Sequence, residues 1–257
     1  MNEPRVQTPA RALRPSDRRT TGKRRPRTVL TLEAIVSRAC AILDLEGIDA
    51  LTLRRLADDL GAGVTSMYWH VDDKGELLDL CCRATFEPVL SDVLTREVDP
   101  ADWQAGLRDM LAGLFDVMEN HPWLAELAAA PQSPPSHGEA VTRIWDRIGT
   151  ALGSAGLDEE RIFYAGSVLA GHLGSMGLLA ARTAYGTDGP ESREERLARR
   201  ADELAALDPA NYPFASKSAA MVRDHSERKQ FLGGLDVILA GIATQLQQGR
   251  VTPPPTR

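Results

Sequence analysis

The stretch GAGVTSMYWHVDDKGELL, residues 61–78, places two large aromatic residues, Tyr68 and Trp69, beside His70 and behind a Gly-x-Gly sequence. Residues with helical spacing lie before it: Thr52 is suited to cap a helix, and Leu53, Leu56, Ala57 and Leu60 share one face. The lengths of the two segments and the glycines between them are typical of two short helices joined by a tight turn. We therefore predict a helix-turn-helix over residues 53–71.

The second helix of this motif divides its residues between two sides. Val64, Met67 and Val71 are apolar and are expected to face the core. The residues between them can bond phosphates and base edges or contact thymine methyl groups, as side chains in a major groove do. We predict that an outward surface binds double-stranded DNA, formed by Thr65, Ser66, Tyr68, Trp69 and His70.

A metal or catalytic function for His70 is a weaker interpretation. No Cys or His lies at ligand spacing from it, and no nucleophile pattern accompanies it. The chain also lacks a Ser-His-Asp set, a phosphate-binding Gly loop and a carboxylate pair that would favour an enzyme. We expect no catalytic residues, no metal site and no cofactor.

The composition favours an all-α protein of about nine or ten helices. Only 5% of the 257 residues are aromatic and 43% are hydrophobic, while Ala and Leu are abundant and no alternating strand pattern occurs. Two loops are expected, at 130–139 and from 182 to about 212, the second with a polar helix as an alternative. Helices are predicted at 31–46, 52–60, 64–71, 74–93, 101–119, 122–130, 137–153, 158–182 and 226–248.

Charge is distributed unevenly along the chain. The net charge is −6, yet residues 1–30 hold nine Lys and Arg against Glu3 and Asp17, a net +7 that leaves −13 for the rest. Residues 1–27 are expected to form a disordered basic arm, which either lies on DNA or is a solvated tail without a function. Residues 31–75 carry a net charge of −4, which would be repelled by DNA. We therefore favour an arm that helps binding, in which Lys23–Arg27 reaches the minor groove.

Cysteine usage and hydropathy point to a cytoplasmic protein. No run of about 18 uncharged apolar residues occurs and no apolar segment follows the N-terminal charges, so neither a membrane span nor a secretory signal is expected. Three cysteines form no disulfide framework, which favours reduced thiols. The adjacent Cys81 and Cys82 are read first as small buried residues, with a redox-sensing pair as the alternative.

The motif resembles a known family. LTLRRLADDLGAGVTSMYWHVDDKGELLDL, residues 51–80, is similar to the DNA-binding domain of TetR-type repressors, and YWHV with FLGGLDVILAGIATQL, residues 231–246, resembles the tetracycline-repressor branch. The resemblance implies a DNA-binding domain at 28–90, an effector-binding and dimerisation domain at 91–250 and a flexible tail at 251–257. It implies backbone contacts from Thr52 and Arg54, base contacts from the residues of the second motif helix, and a phosphate contact from Lys74, where amides at a helix start also suit a phosphate.

Two late helices combine bulky with small residues. Residues 162–180 contain Ala165, Gly166, Ala170, Gly171, Gly174 and Gly177, although a glycine inside a helix costs about 1 kcal/mol relative to alanine. Residues 231–246 are apolar on more than one face. We predict a homodimer formed through helices at 158–182 and 226–248, with a purely central position in a monomer as the alternative.

The resemblance also implies a small-molecule effector and a repressor that it releases from DNA, although an activator is not distinguished by sequence. Tetracycline–metal complexes are not expected, because the polar positions that hold them fall on Leu90, Met110, Leu114, about Ala128 and about Ala180. Residues 77–93 are the predicted lever between the domains. A pocket for a hydrophobic or aromatic molecule is expected, lined by Leu90, Met110, Leu114, Trp123, Trp145, Phe163 and Met176. Each of these residues could instead be an ordinary core residue. His172 is expected to be either a polar contact in this pocket or a residue of the subunit interface.

Overall fold

A computed structural model describes residues 30–96, 98–129, 135–185 and 192–251. The fold is all-α, as predicted: these residues form twelve α-helices and one 3-10 turn at Pro100–Asp102, with no strand among them. The helices are α1 (Leu32–Glu46), α2 (Leu53–Asp59), α3 (Val64–Met67), α4 (Lys74–Thr95), α5 (Trp103–Asn120), α6 (Trp123–Ala129), α7 (Pro135–Ala155), α8 (Glu159–Ala184), α9 (Arg193–Ala205), α10 (Pro213–Lys217), α11 (Ala219–Arg223) and α12 (Glu227–Val251).

The helix boundaries at the N-terminal end follow from capping residues. Thr31 accepts a hydrogen bond from the Ala34 amide, and Thr52 accepts one from the Arg55 amide, so each hydroxyl satisfies an amide at a helix start. Gly47 ends α1 with a φ of 78°, which a residue with a side chain rarely adopts. These local signals explain why the predicted bounds of α1 agree with the structure.

Helix α4 joins the two halves of the protein. Its N-terminal half packs against α1, where the Cys81 sulfur lies 4.0 Å from the Val36 carbonyl oxygen. Its C-terminal half packs against α7, where Arg143 forms an ion pair with Glu87 at 3.0 Å. Pro88 lies inside the helix and cannot donate a backbone hydrogen bond. A shift of α4 would therefore change its packing against both α1 and α7.

The C-terminal half is built around α8, which packs against α5, α6, α7 and α12. Three rings stack across this core: the centroids of Phe115 and Phe231 lie 4.4 Å apart, and those of Phe231 and His172 lie 5.1 Å apart. The His172 ring nitrogen Nε2 also lies 2.9 Å from the Phe231 carbonyl oxygen. These contacts fix α12 against α8 and α5.

By length and composition, α8 is apolar enough to cross a membrane. The sequence had suggested no such segment, because Gly, Ser and His interrupt its apolar residues. The central helix of a helical bundle meets the same criterion, and α8 packs against four other helices here. Packing within the chain accounts for part of its composition, because 33% of the apolar window is buried.

Both predicted loops are shorter in the structure, and α10 and α11 are helices that the sequence did not predict. Helix α7 begins at Pro135 inside the loop predicted at 130–139, because the first turn of a helix needs no amide donor and accepts proline. The stretch from 182 to 212 was predicted as a loop with a polar helix as the alternative, and α9 confirms that alternative. Ser192 and Glu195 form a capping box at its start. The predicted basic arm, 1–27, lies outside the described residues, as does almost all of the predicted tail.

Candidate nucleic-acid interface

The turn between α2 and α3 is tight, and α3 is shorter than predicted. Gly61 supplies a φ of 63°, which suits glycine. Helix α3 has only four residues, because the amides of His70 and Val71 both donate to the Met67 carbonyl oxygen, at 2.9 and 3.0 Å, and close the helix there. The helix predicted to reach Val71 thus ends at Met67, and Tyr68, Trp69 and His70 follow it in a turn.

The side chains around α3 are divided between the core and solvent. Met67 and Val71 are buried, whereas Trp69 is 85% exposed and Tyr68 is 56% exposed. His70 is half-buried. We call the exposed group, Thr65, Ser66, Tyr68 and Trp69, the α3 surface. It presents two aliphatic hydroxyl groups and two large rings, one of which carries a phenol hydroxyl, from one short segment.

The cations near this surface are mostly engaged within the protein. Arg38 pairs with Asp59 at 2.5 Å, and Arg55 pairs with Glu46. The Arg55 guanidinium, by donating hydrogen bonds, lowers the pKa of the Glu46 carboxyl. Arg54 is exposed and makes no hydrogen bond or ion pair within the described parts of the chain. These pairs do not change the net charge of −4 of residues 31–75, and they leave the Arg54 guanidinium available.

The hydroxyl of Thr52 and the ammonium of Lys74 both have partners. Thr52 is exposed, but its hydroxyl oxygen accepts from the Arg55 amide at 3.2 Å. Lys74 is half-buried and donates from Nζ to the Ile48 carbonyl oxygen at 2.7 Å. An ammonium has three donors, so this bond orients Lys74 while two donors remain.

The amides at the start of α4 are a poor phosphate site. The Asp73 carboxylate accepts from the Glu76 amide at 2.9 Å, and the Glu76 carboxylate accepts from the Asp72 amide at 2.5 Å. Two carboxylates therefore lie where an anion was expected to bind, and like charges repel. The expectation of a phosphate on these amides is not supported.

A polar cluster connects the N-terminal helices to the C-terminal half. Asp44 Oδ1, on α1, lies 2.8 Å from His121 Nδ1 and accepts from Trp123 Nε1 at 2.8 Å. Tyr185, which follows α8, donates its hydroxyl to the Leu43 carbonyl oxygen at 2.8 Å, and burial raises the pKa of that phenol. We call Asp44, His121, Trp123 and Tyr185 the joint. Sequence reasoning missed it, because its members are far apart in the chain and share no periodicity.

The eight predicted pocket residues do not line one cavity in the structure. Leu90, Met110, Leu114 and Met176 are buried, but the indole of Trp123 belongs to the joint. His172 is engaged by Phe231. Trp145 and Phe163 lie at the surface, 38% and 58% exposed, with their rings edge to face at 6.0 Å. Trp145 and Phe163 are therefore more exposed than the other predicted pocket residues, and the pocket itself stays a prediction.

One surface cleft, of about 790 Å³, runs between α1 and α4. Its walls are largely apolar, and His121 of the joint lies at one end. The residues that line it are Leu32, Glu33, Val36, Ser37, Cys40, Leu80, Arg83, Ala84, Thr85 and His121. Among the described residues, no three His, Cys, Asp or Glu are grouped so that they could hold a metal ion.

The small residues of α8 and α12 fall into two groups. A Cβ added at Gly177 would lie 2.3 Å from the Met118 side chain, and one at Gly234 would lie 2.6 Å from His172, so these glycines allow packing within the chain. Nothing lies within 4 Å of such a Cβ at Gly171, Gly174, Gly233 or Gly241. The open glycines share their helices with exposed apolar residues, and we call the set the α8–α12 face: Tyr164, Val168, Gly171, Gly174, Leu179, Gly233, Val237 and Gly241.

The adjacent cysteines are both buried, but their neighbours differ. Cys81 faces α1, where its sulfur lies 4.0 Å from the Val36 carbonyl oxygen and has Cys40 as a neighbour. Cys82 lies with Phe86 and Leu90 beside α7. The burial of both confirms the interpretation as small buried residues, and a redox role for the adjacent pair stays a prediction.

Comparison with known proteins agrees with this architecture. Residues 98–246 match the family described as the tetracyclin repressor-like C-terminal domain. The chain is 32% identical over 155 residues to the HTH-type transcriptional repressor DrrR1 of Streptomyces coeruleorubidus, a match that covers 58% of this chain and 53% of that protein. The chain thus spans about half the length of this curated relative.

Two solved structures of Streptomyces coelicolor proteins are similar over most of the chain. The transcriptional regulator SCO7222, a TetR, is 34% identical with a TM-score of 0.65, and the match covers 84% of this chain and 98% of that one. The TetR family protein ActR, solved in complex with actinorhodin, is 30% identical with a TM-score of 0.61, covering 85% and 99%. Since the family match extends over more than half of the residues, the chain belongs to the TetR family of transcriptional regulators.

Proposed function

We propose that the protein is a transcriptional repressor that binds an operator as a homodimer and is released by a hydrophobic effector. The observation that carries the DNA-binding part is the exposure of Trp69, at 85%, on a helix-turn-helix. A large ring on the surface leaves apolar area in water, which favours a partner. The hydroxyls of Thr65 and Ser66 beside it are suited to phosphates and base edges.

The DNA contacts are assigned to a small set of residues. Tyr68, Trp69 and His70 supply rings that can contact bases or sugars, and His70 adds a ring nitrogen. Arg54 is placed to neutralise a phosphate, because it is exposed and without a partner among the described residues. Lys74 is a second phosphate contact, oriented by the Ile48 carbonyl. Thr52 acts mainly as the α2 cap.

The α8–α12 face is proposed as the dimer interface. Val237 is 73% exposed and Val168 is 53% exposed, which is unusual for aliphatic side chains in two helices that also build the core. The four open glycines would let the helices of a second copy approach closely. A dimer places two copies of the α3 surface in successive major grooves when they lie about 34–36 Å apart.

Release is proposed to act through α4 and the joint. Helix α4 contacts both α1 and α7, so a change in the C-terminal half that moves α4 changes the separation of the two α3 surfaces. The joint gives a second connection, from Trp123 on α6 to Asp44 on α1. A coupling free energy of about 1–3 kcal/mol would change DNA affinity by roughly 5- to 150-fold.

The effector is proposed to be hydrophobic or aromatic, without bound metal. Leu90, Met110 and Leu114 are buried and offer no polar group to a metal-chelated drug. Because ActR was solved with actinorhodin, that compound is a sensible first probe for this chain.

The test is a fluorescence-anisotropy titration with DNA from upstream of the protein's own gene, across a salt series and against a scrambled duplex. We expect selective binding by two chains per site, loss of binding on Tyr68→Ala/His70→Ala substitution, and release by actinorhodin. Equal affinity for the scrambled duplex would contradict sequence recognition. Binding that no hydrophobic compound weakens would contradict the proposed effector class alone.

A further inference from the structure

Cys40 on α1 and Cys81 on α4 lie in contact between two packed helices. The Cys81 sulfur lies 4.0 Å from the carbonyl oxygen of Val36, which precedes Cys40 by one turn of α1. The Cys40 sulfur lies 4.0 Å from the hydroxyl of Thr85, which follows Cys81 by one turn of α4. Cys81 is also the neighbour that affects the Cys40 thiol most strongly, which places the two sulfurs close together between the helices. Both cysteines carry free thiols. Two thiols from different helices therefore face one another directly.

The two thiols differ in access from solvent. Cys81 is fully buried, whereas Cys40 is half-buried and lines the cleft between α1 and α4. The cleft volume of about 790 Å³ is in the range of small-molecule sites. A small reagent in the cleft can reach the Cys40 sulfur, while the Cys81 sulfur lies behind it.

The surroundings of the two thiols also shift their pKa values in opposite directions. The hydrogen bond from Cys81 lowers the pKa of the Cys40 thiol, with a further contribution from the Thr85 hydroxyl. The same hydrogen bond, followed by burial, raises the pKa of the Cys81 thiol. Because the thiolate is the nucleophile and Cys40 is the thiol that lines the cleft, Cys40 is the sulfur that attacks first.

We propose that Cys40 and Cys81 form a modification site for hydroperoxides, in which Cys40 is oxidised and Cys81 resolves it to a disulfide. The Cys40 thiolate attacks one peroxide oxygen, and the O–O bond breaks. That oxygen stays on the sulfur as a sulfenic acid, while the other oxygen leaves with its substituent and is protonated to an alcohol or to water. The Cys81 thiol then attacks this sulfur and displaces water. In total, two thiols lose two electrons and two protons, and the peroxide is reduced.

Formation of this disulfide would change the packing of α1 against α4. Bonded sulfurs lie about 2.05 Å apart, closer than sulfurs that share a hydrogen bond. Closely packed helices do not absorb such a change without a shift of side chains or backbone. Helix α4 begins at Lys74 and follows directly from the α3 surface. The modification therefore acts on the orientation of the DNA-contacting segment; this consequence, unlike the chemistry, rests on the proposed function.

The chemistry is tested on the full-length reduced protein treated with hydrogen peroxide. We expect the intact mass to fall by two hydrogen atoms and a non-reduced digest to contain a peptide pair linked through Cys40 and Cys81. Cys40→Ser and Cys81→Ser should each abolish the link. Cys82→Ser is the matched control, because Cys82 is also buried but lies on the α7 side, and it should keep the link.

A link through Cys82, or an unlinked Cys81 in a protein whose Cys40 has been oxidised, would overturn the proposal. Because the link is mapped in the wild-type protein, an unstable variant does not decide the outcome. The DNA consequence is measured separately, as an expected fall of about tenfold in operator affinity that dithiothreitol reverses. A mapped link without any change in affinity would overturn the regulatory consequence, and absence of operator binding by the reduced protein would contradict the proposed function instead.

Discussion

Two of the surfaces on which this protein exposes large aromatic residues have different neighbours. On the α3 surface, Tyr68 and Trp69 are 56% and 85% exposed and stand beside two hydroxyl side chains. On α8, Phe163 and Tyr164 are 58% and 60% exposed and stand beside aliphatic residues and open glycines. Exposure alone would describe both surfaces in the same way.

The neighbouring groups indicate which partner each surface suits. Hydroxyl groups and ring edges can be satisfied by a polar, hydrogen-bonding groove, which nucleic acid provides. Aliphatic residues and glycines offer no hydrogen bonds but allow close approach of an apolar helix. We therefore infer DNA as the partner of the α3 surface and a second copy of the chain as the partner of the α8–α12 face.

The largest effect is expected from a charge on the α8–α12 face. Val168→Glu would bury one unpaired carboxylate per protomer, so the dimer dissociation constant should rise by at least about 100-fold. Analytical ultracentrifugation measures this. Leu45→Glu, which adds the same charge at a 74% exposed position on α1, is the control and should remain dimeric. Unchanged dimerisation in Val168→Glu would refute the assigned interface.

A smaller effect is expected when one ring is removed from each aromatic surface. Trp69→Ala should weaken operator binding by about 10- to 100-fold, because a good base contact contributes about 1–3 kcal/mol. Since Trp69 is 85% exposed, the unfolding free energy should change by less than about 0.5 kcal/mol.

Tyr164→Ala, which removes the ring from the α8–α12 face, is the matched variant for Trp69→Ala. It should weaken the dimer, while its operator affinity at protein concentrations that keep it dimeric stays unchanged. Anisotropy and ultracentrifugation on both variants separate the two surfaces. If Trp69→Ala weakened the dimer and left DNA binding intact, the assignment of partners would be reversed.

The joint supplies a buried aromatic residue for comparison with the exposed ones. Trp123→Phe removes the hydrogen bond to Asp44 but keeps a ring, so the free energy of unfolding should fall by about 1–2 kcal/mol in urea denaturation. Trp103→Phe is the control, since Trp103 is buried without a hydrogen bond among the described residues. Equal losses in both variants would mean that ring size, rather than the bond to Asp44, accounts for the change.

The smallest effect is expected for Arg54→Ala. If Arg54 contacts one phosphate, operator affinity should fall a few-fold and the slope of log affinity against log salt should become shallower by about 1. Arg161→Ala, which breaks an exposed ion pair with Asp158 at the start of α8, should leave that slope unchanged. The same slope in Arg54→Ala and in the wild type would exclude a phosphate contact.

The sequence was most informative where structure depends on near neighbours. Thr31, Thr52 and Gly47 fix helix ends through bonds within four residues, so their positions could be predicted. The end of α3 could not, because the competition of two amides for the Met67 carbonyl oxygen has no sequence signature. Pro135 was read as part of a loop although the first turn of a helix accepts proline.

Contacts between distant segments were the main part of the site that sequence reasoning did not find. The bonds of Asp44 to His121 and Trp123 span more than 70 residues and follow no periodic pattern. The small residues of α8 were recognised as a packing signal. Some of these glycines face Met118 inside the chain and others face open space. This division depends on the positions of α5 and α12, which the sequence does not give.

The positions of the tryptophans have a spectroscopic consequence. Trp69 is exposed to water on the α3 surface, Trp123 is enclosed and hydrogen-bonded to a carboxylate, and Trp145 lies partly exposed beside Phe163. Indole emission shifts to longer wavelength in water, so the three rings emit differently. Variants that retain one of these indoles at a time would report DNA contact, movement of the joint and subunit association as separate optical signals, without an attached dye.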